Sequence, residues 1–191
     1  MINIAIFASG TGSNAQNIFN HFKAEPKAHI ALIVSNKDDA GVLEFAEQHD
    51  IPYAILGKDE MDDEETVMAT LEYHKIDFIV LAGYLLLVPQ YLIKAFPSRI
   101  VNIHPALLPA HGGKGMYGMK VHEAVKAAGD TETGITIHFV NEHFDEGETI
   151  AQMRCEVAPN DTANDIRLKV QALEHEHYPQ VIKDLVKKLS K

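Results

Sequence analysis

The stretch "NIAIFASGTGSNAQNIF", residues 3–19, passes from an apolar run through a glycine turn into a segment with helical periodicity. It predicts a strand at residues 3–8 and a helix at residues 13–23, joined by a turn that needs glycine. A buried strand followed at once by a helix is the repeating unit of an α/β fold. This stretch therefore predicts an α/β fold, and the rest of the chain repeats the same unit.

The alternation of apolar runs and helical segments continues through the first two thirds of the chain. Further strands are predicted at residues 30–35, 53–56, 78–82 and 100–103. Further helices are predicted at residues 41–49, 62–74 and 89–95. Several of the strands are almost continuously apolar, as expected for a parallel sheet that helices cover on both faces.

The pattern changes after residue 105. A helix is predicted at residues 120–128, followed by two strand-like segments, "GITIHFVNE" and "ETIAQMRCEV". Their connection is too short to contain a crossover helix, so we expect the two strands to be antiparallel. A last helix is predicted at residues 163–189, capped by Thr162 and bent or interrupted at Pro179. The predicted fold class is α/β, with one open, mostly parallel twisted sheet, antiparallel strands in the C-terminal third and a long C-terminal helix.

The composition limits the classes of protein to which the chain can belong. Its 191 residues suit a single domain, residues 1–191, and the formal charge of −10 argues against a nucleic-acid ligand. The longest apolar run, "FIVLAGYLLLV" at residues 78–88, is shorter than the roughly 20 residues needed to span a bilayer. The N-terminus lacks the basic leader of a signal peptide, and Cys155, the single cysteine, excludes an internal disulfide. We therefore expect a cytoplasmic protein without a membrane partner.

The glycine turn of residues 8–12 is the first candidate site. Small residues let a ligand approach the backbone, and free amides at a helix start favour an anion such as phosphate. The turn fits a loose dinucleotide pattern, but the second strand ends on Asn36 and Lys37 where that fold wants an acidic residue. We predict a monophosphate site whose donors are Gly12, Ser13 and Asn14. The alternative is a glycine turn that serves only the packing of strand against helix.

The second candidate site lies in "RIVNIHPALLPAHGGKG", residues 99–115. Side chains alternate along a strand, so Asn102 and His104 should point to the same face while Ile103 points to the other. Pro105 favours extended backbone at His104. Two different polar groups then emerge at the carboxyl end of a parallel strand, where open α/β sheets bind ligands. The alternative is an asparagine that stabilises a turn beside a half-buried histidine.

The third candidate site is the loop "VNEHFDEGE", residues 140–148. If this loop folds back over the neighbouring strand end, the carboxylate of Asp145 meets the imidazole of His104, raising the histidine pKa and fixing its orientation. The other acidic residues of the loop are expected to be solvated. Four further histidines are predicted to be surface or packing residues rather than metal ligands: His138, His143, His175 and His177.

An ordered set of motifs places the chain near a known family. The motifs are "IFASGTGSN", "VLAGY", "NIHPALLP", "GITIHFV", "DEGETI" and "VQALEHEHYP", and they run through nearly the whole chain. With them the sequence resembles the phosphoribosylglycinamide formyltransferases, the folate-dependent transformylases of purine synthesis. The resemblance implies a Rossmann-like formyltransferase fold that acts on glycinamide ribonucleotide and 10-formyltetrahydrofolate, as a monomer or homodimer, without a metal.

The resemblance also implies roles for individual residues. The implied catalytic group is Asn102, His104 and Asp145. Ribonucleotide contacts are implied for Gly12, Ser13, Asn14, Gln171 and Glu174. Folate contacts are implied for Leu85, Leu86, Leu87, Val88, Asn102, Asn141, Glu142, His143, Phe144 and Asp145. On this basis residues 1–103 form the phosphate-binding half of the domain, and residues 104–191 form the folate-binding and catalytic half.

The sequence departs from the family in two places. Arginines that the family often has in the loop that reads "YLLLVP" here, and before the third helix at "KDEMDDEE", are absent. In the loop "HGGKGMYG", we expect Lys114 to supply positive charge near an anionic ligand.

The residue types predict a direct transfer of the formyl group. Asn102 and a protonated His104, kept charged by Asp145, are expected to stabilise the oxyanion that forms when an amine attacks the formyl carbon. Two alternatives stay open: a sugar-nucleotide formyltransferase that uses the same donor, and a folate- or nucleotide-binding module without catalysis.

Overall fold

The strand that opens the chain becomes the centre of a mixed sheet. In this computed structural model, which describes residues 1–189, seven strands form one sheet with seven helices packed around it. The strands are β1 Ile2–Phe7, β2 Ala28–Ser35, β3 Tyr53–Ile55, β4 Phe78–Leu81, β5 Ile100–His104, β6 Glu132–Phe139 and β7 Thr149–Glu156. The helices are α1 Ser13–Phe22, α2 Gly41–Gln48, α3 Lys58–Asp62, α4 Glu64–Tyr73, α5 Gln90–Ala95, α6 Met119–Ala128 and α7 Ala163–Leu189.

The strand order is β3-β2-β1-β4-β5-β6-β7. Strands β1 to β5 are parallel, and β6 runs antiparallel to β5. Strand β7 runs antiparallel to β6, as predicted. The order reverses at β1, which has β2 on one side and β4 on the other. In open α/β sheets such a reversal leaves a crevice at the carboxyl ends of the strands, where ligands bind.

Two apolar cores cover the faces of the sheet, because buried strand residues alternate between them. On one face, Ile6 and Val101 belong to a core that includes residues of α1, α2 and α7. On the other face, Phe7 and Ile79 belong to a core that includes residues of α4 and α5. Helix α7 is anchored under the sheet by Tyr178, whose buried hydroxyl donates to the carbonyl of Leu81 at 2.9 Å.

Most predicted elements are confirmed, with ends that differ by a few residues, and the helix predicted at residues 62–74 is α4; the short helix α3 before it was not predicted. The two helices are separated at Asp63, which has extended backbone and whose carboxylate accepts from the N–H groups of Glu65 and Thr66. Asp63 is therefore an N-cap that separates α3 from α4.

The predicted cap of the last helix is present, and of the bend or interruption predicted at Pro179 the interruption does not occur. Thr162 Oγ1 accepts from the Asp165 N–H at 3.1 Å, and the Asp165 carboxylate accepts in return from the Thr162 N–H, which is a capping box. Helix α7 then continues through Pro179. A proline leaves the carbonyl four residues earlier without its helical donor, and here that carbonyl, of His175, accepts from Asn17 Nδ2 at 2.6 Å. A neighbouring helix thus replaces the missing hydrogen bond.

Candidate active site

The turn between β1 and α1 adopts a backbone that glycine alone allows here. Gly12 has φ 76°, and a Cβ at this position would lie 2.6 Å from Val42 Cγ2. The first helical bond of α1 runs from the Gln16 N–H to the Gly12 carbonyl, at 2.8 Å. The amides between them precede the helical ladder and have no intrahelical acceptor. They are the free amides at a helix start on which the sequence predicts an anion site.

The end of β5 presents Asn102 and His104 on one face of the sheet. Val101 and Ile103, which alternate with them, are buried in the core under α7. The loop after β6 folds back over this strand end, so that His104 Nδ1 lies 3.3 Å from Asp145 Oδ2. Asn102 Nδ2 lies 3.5 Å from Asp145 Oδ1. The contact between His104 and Asp145 that the sequence predicts is therefore present.

Asp145 is held in place from two directions. Its backbone is left-handed, with φ 59°, a conformation that aspartate tolerates better than most residues. The N–H of Gly113 donates to Asp145 Oδ2 at 3.0 Å. The loop that follows β5 thus anchors the carboxylate supplied by the loop that follows β6.

His138 joins this cluster, which corrects the prediction that it is a surface or packing histidine. In the antiparallel register of β5 and β6 it is the direct partner of Asn102. Its Nε2 lies 3.2 Å from Asn102 Nδ2 and 3.7 Å from Asp145 Oδ1. Its Nδ1 contacts the Phe139 carbonyl at 2.8 Å, and because a carbonyl only accepts, we assign the proton to Nδ1. With the proton on Nδ1, Nε2 is the nitrogen that accepts from Asn102 Nδ2 and orients the amide.

A polar residue near the end of an apolar strand was the sequence signal for His138. "GITIHFV" has a histidine near its end, as the strand before Pro105 has Asn102 and His104. Only the register of β5 against β6 shows which residue faces which.

The protonation of His104 also differs from the prediction. Burial lowers its pKa below the ordinary value of 6.5, and this effect exceeds the opposing charge of Asp145. The expectation that Asp145 keeps the imidazole charged is therefore wrong for this arrangement. His104 Nε2 lies 2.8 Å from the His111 carbonyl and carries the proton of the neutral ring. The basic nitrogen is then Nδ1, which faces Asp145.

Asp145 itself remains ionised. Burial opposes its ionisation, but its interactions with His138, His104 and the Gly113 N–H together hold the pKa of this carboxyl below its ordinary value. A proton that reaches His104 Nδ1 is stabilised by a negative charge 3.3 Å away. The pair is therefore a proton acceptor in a largely buried position.

The cluster lies in the wall of a cavity of about 730 Å³ at the carboxyl ends of the strands. Most of the residues predicted to bind substrates line it: Asn14, Leu85, Leu86, Leu87, Val88, Asn102, His104, Asn141, His143, Phe144, Asp145, Gln171 and Glu174. Within the described residues 1–189, three predicted residues do not line the cavity: Gly12, Ser13 and Glu142. Gly12 and Ser13 belong to the turn directly before Asn14, and Glu142 is an exposed residue of the loop.

Three buried polar atoms in the cavity wall have no hydrogen-bond partner among the residues that the structure describes. They are Asn14 Oδ1, the Tyr84 hydroxyl and His122 Nδ1. Burial raises the pKa of Tyr84 well above its ordinary value, and it lowers the pKa of His122 to about 4, so both groups are neutral near pH 7. Buried polar groups in folded proteins are nearly always paired. These three residues are therefore candidates for contacts with a bound ligand or an ordered water.

One side of the cavity is polar and the other apolar. Glu174 on α7 accepts from Asn14 Nδ2 at 2.9 Å, and burial raises the pKa of this carboxyl. Opposite, the loop after β4 presents Leu85 and Leu87, which are 39% and 45% exposed. The loop is fixed to the sheet by Ser9 Oγ, which accepts from the Leu85 N–H at 2.9 Å. The cavity thus suits one polar ligand and one ligand with a flat apolar part.

Among residues 1–189 there is no group of three or more His, Cys, Asp or Glu side chains arranged to hold a metal ion. Within the same residues, every helix is too short or too polar to cross a membrane.

Comparison with known proteins gives consistent matches. The chain matches the family model described as formyl transferase over residues 2–182. It is 42% identical over 185 residues to the chloroplastic phosphoribosylglycinamide formyltransferase of Arabidopsis thaliana, covering 94% of this chain and 63% of that protein. It is 38% identical over 191 residues to the phosphoribosylglycinamide formyltransferase of Bacillus subtilis (strain 168), covering 97% and 95% respectively.

Solved structures agree with the sequence matches. The crystal structure of phosphoribosylglycinamide formyltransferase from Bacillus Halodurans has a TM-score of 0.86 and 40% sequence identity, covering 99% of this chain and 96% of that one. The chain spans less than two thirds of the plant relatives, namely 63% of the Arabidopsis protein and 60% of its counterpart from Vigna unguiculata.

Proposed function

Because the chain belongs to the formyl transferase family, we propose that it transfers the formyl group of 10-formyltetrahydrofolate to the amine of 5-phosphoribosylglycinamide. The observation that carries the proposal is the cluster of Asn102, His104 and Asp145 in the wall of the large cavity. The names of the relatives, which are phosphoribosylglycinamide formyltransferases from plants and bacteria, support the same reaction in purine biosynthesis.

In this proposal the ribonucleotide lies along α1 and α7. Its phosphate is held by the amides of the glycine turn, at Gly12, Ser13 and Asn14. Glu174 and Gln171 bind the ribose part, since a buried carboxylate with one neutral partner at 2.9 Å has lone pairs left for hydroxyl donors. The unpartnered Oδ1 of Asn14 supports a ligand at this end of the cavity.

The folate occupies the apolar side of the cavity. The exposed leucines of residues 85–87 offer a surface for its rings, and Val88 is buried directly behind them. The loop of residues 141–145 covers the opposite edge, with Asn141, His143 and Phe144 in the wall. Glu142 is exposed in the same loop, so we assign it a weaker contact than its neighbours.

The reaction that this geometry supports is a direct transfer. The glycinamide nitrogen attacks the formyl carbon, the formyl oxygen takes up the negative charge, and the bond from carbon to N10 then breaks. Asn102 Nδ2 donates to the developing oxyanion, because its bond to Asp145 Oδ1 is long, at 3.5 Å, and is readily exchanged for a charged acceptor. His138 holds the amide in position at 3.2 Å.

The attacking amine must lose a proton, and the leaving nitrogen N10 must gain one. His104 Nδ1 is the base in this scheme, since burial keeps the ring neutral by lowering its pKa and since Nε2 is already bonded to the His111 carbonyl. Asp145 stabilises the imidazolium that forms. The proton then passes to N10, directly or through a water molecule.

The proposal also covers the domain organisation, the localisation and the oligomeric state of the protein. We propose a single catalytic domain in which residues 1–103 supply the phosphate turn and residues 104–191 supply the catalytic group, with both contributing to the cavity wall. We further propose that the protein is cytoplasmic, acts on small molecules rather than nucleic acid, and is a monomer or homodimer, which light scattering would determine.

A direct assay tests the proposed function. Purified protein is mixed with 10-formyltetrahydrofolate and glycinamide ribonucleotide, and the deformylated folate is followed by its absorbance. We expect deformylation that depends on both substrates, with formylated ribonucleotide as product. Absence of transfer, or loss of the formyl group at the same rate without ribonucleotide, would contradict the proposal.

A further inference from the structure

Arg167 is a cation of the cavity wall that has no negatively charged partner among the described residues 1–189. It lies on α7, one helical turn before Gln171. Its Nε donates to Asn164 Oδ1 at 3.1 Å, and its Nη1 donates to Gln171 Oε1 at 3.2 Å. Both acceptors are neutral, so the charge is oriented but not neutralised. A guanidinium held in this way has donors left for an oxyanion.

His122 provides an independent indication of a ligand beside Arg167. It lies on α6, which packs against α7, and its side chain is 4% exposed. Its Nδ1 has no hydrogen-bond partner in the described part of the chain. Burial, with the charge of Arg167, lowers its pKa to about 4, so the ring is neutral near pH 7. A neutral imidazole adds a donor to an anion site without adding charge.

The part of the cavity wall around Arg167 carries positive charge, although the protein has a formal charge of −10. Besides histidines, Lys114 and Arg167 are the cationic residues in the wall of this cavity, as far as residues 1–189 show. Lys114 is exposed in the loop before α6. Anionic ligands are therefore attracted to this part of the wall, since the two carboxylates of the cavity wall, Asp145 and Glu174, are already hydrogen-bonded.

We propose that Arg167 and His122 form a second anion subsite of the cavity, on other helices than the glycine turn, which binds an oxyanion of one of the two substrates. This proposal rests on the proposed function. The oxyanion is either an oxygen of the ribonucleotide phosphate that the glycine turn leaves free, or the carboxylate of the folate glutamate, which offers the same chemistry. Through its bond to Gln171 Oε1, Arg167 also leaves Gln171 Nε2 free to donate to the bound molecule.

Binding measurements with paired ligands test the subsite. Isothermal titration calorimetry is run with glycinamide ribonucleotide, with glycinamide riboside, which lacks the phosphate, with folic acid, and with a folate whose glutamate is replaced by an uncharged amide. We expect Arg167→Met to weaken one of the two charged ligands by about tenfold or more. The form of that ligand without the anionic group should bind wild-type protein and Arg167→Met equally. The affected pair of ligands identifies the group that Arg167 contacts.

Two further variants sharpen the comparison. Arg167→Lys keeps the charge but not the fork and should recover part of the affinity. The matched control is Arg154→Met, which changes the net charge by the same amount. Arg154 lies outside this cavity and is paired with Glu132 on the neighbouring strand. It should leave all four affinities unchanged. Circular dichroism of each variant shows that the fold is retained.

The subsite is wrong if Arg167→Met changes neither charged ligand, or if it weakens charged and uncharged forms alike. His122→Phe should weaken the same charged ligand, and an unchanged affinity would remove His122 from the subsite. Failure of the proposed function is distinguishable, since wild-type protein would then bind these ligands without transferring a formyl group.

Discussion

His104 Nδ1 lies 3.3 Å from Asp145 Oδ2, while the other nitrogen of the same ring lies 2.8 Å from the His111 carbonyl. The ring is therefore fixed from both sides. Because the carbonyl takes the single proton of the neutral ring, the basic nitrogen is the one that faces the carboxylate. This arrangement makes the pair a proton acceptor rather than a charged donor, and the first two predictions follow from it.

Loss of either member of the pair should affect turnover far more than ribonucleotide affinity. We expect His104→Ala and Asp145→Asn to lower kcat by about 10²- to 10⁴-fold, the range of general acid–base catalysis, with little change in ribonucleotide Kd. Steady-state kinetics and calorimetry give the two quantities. Asp161→Asn is the control, since it removes a carboxylate paired with Lys169 outside the cavity. Near wild-type kcat in either variant would exclude that residue from the mechanism.

The pH dependence of kcat/KM should show that neutral His104 is the active form. Burial lowers the pKa of His104 below 6.5, so kcat/KM should rise with pH through an acid limb whose midpoint is below 6.5. Asp145→Asn should move this limb to lower pH, because the negative charge that opposes the effect of burial is lost. Activity that instead decreases as the pH rises through the same region would show that the charged ring is the active form.

Glu174 should matter for binding the ribonucleotide rather than for the chemical step. Its buried carboxylate keeps one neutral side-chain partner, Asn14, at 2.9 Å. Loss of hydrogen bonds to a charged group costs about 1.5–3 kcal/mol, so we expect Glu174→Gln to raise the ribonucleotide KM by about tenfold or more. The folate KM should not change. Glu176→Gln is the matched control, because Glu176 is exposed two residues along the same helix. Equal effects of the two substitutions would contradict the assignment.

Asn17 and Pro179 should be energetically coupled although they lie on different helices. Asn17→Ala leaves the carbonyl of His175 without a donor, which costs about 1–3 kcal/mol in the free energy of unfolding. In a Pro179→Ala background the alanine supplies the missing helical N–H. Asn17→Ala should then lower the free energy of unfolding by less than it does in the wild-type background. Urea unfolding of the four proteins measures the difference, and equal costs in both backgrounds would disprove the coupling. Because Glu174 directly precedes His175, Asn17→Ala should also raise the ribonucleotide KM.

His122 should make the protein less stable in acid. Its pKa is about 4 in the folded protein and about 6.5 when unfolded, so the unfolded state binds the proton more tightly. The contribution of neutral His122 to the free energy of unfolding is about 3 kcal/mol. It is complete above pH 6.5 and decreases as the pH falls from about 6.5 to 4. His122→Gln should remove this part of the pH dependence in urea unfolding between pH 7 and pH 4. His21→Gln, at an exposed histidine, is the control and should leave it unchanged.

Much of the fold is predictable from local sequence patterns. The alternation of buried strands and helices gives the parallel part of the sheet, and the short connection between the last two strands gives their antiparallel pairing. The boundary at Asp63 is harder to predict, because a capping side chain and an ordinary surface aspartate look alike until the backbone is known. Pro179 illustrates the opposite case, since the helix continues only because another helix supplies a donor.

The sequence by itself determined the order of elements, the glycine turn, and the common face of Asn102 and His104. These features depend on backbone geometry and on periods of two or 3.6 residues, which are local properties of the chain. Only the tertiary structure decided that His138 joins the cluster, because the antiparallel register sets which residue faces Asn102. It also decided that His104 is neutral, since the loss of solvent around a buried ring depends on everything packed against it and outweighs a single neighbouring charge.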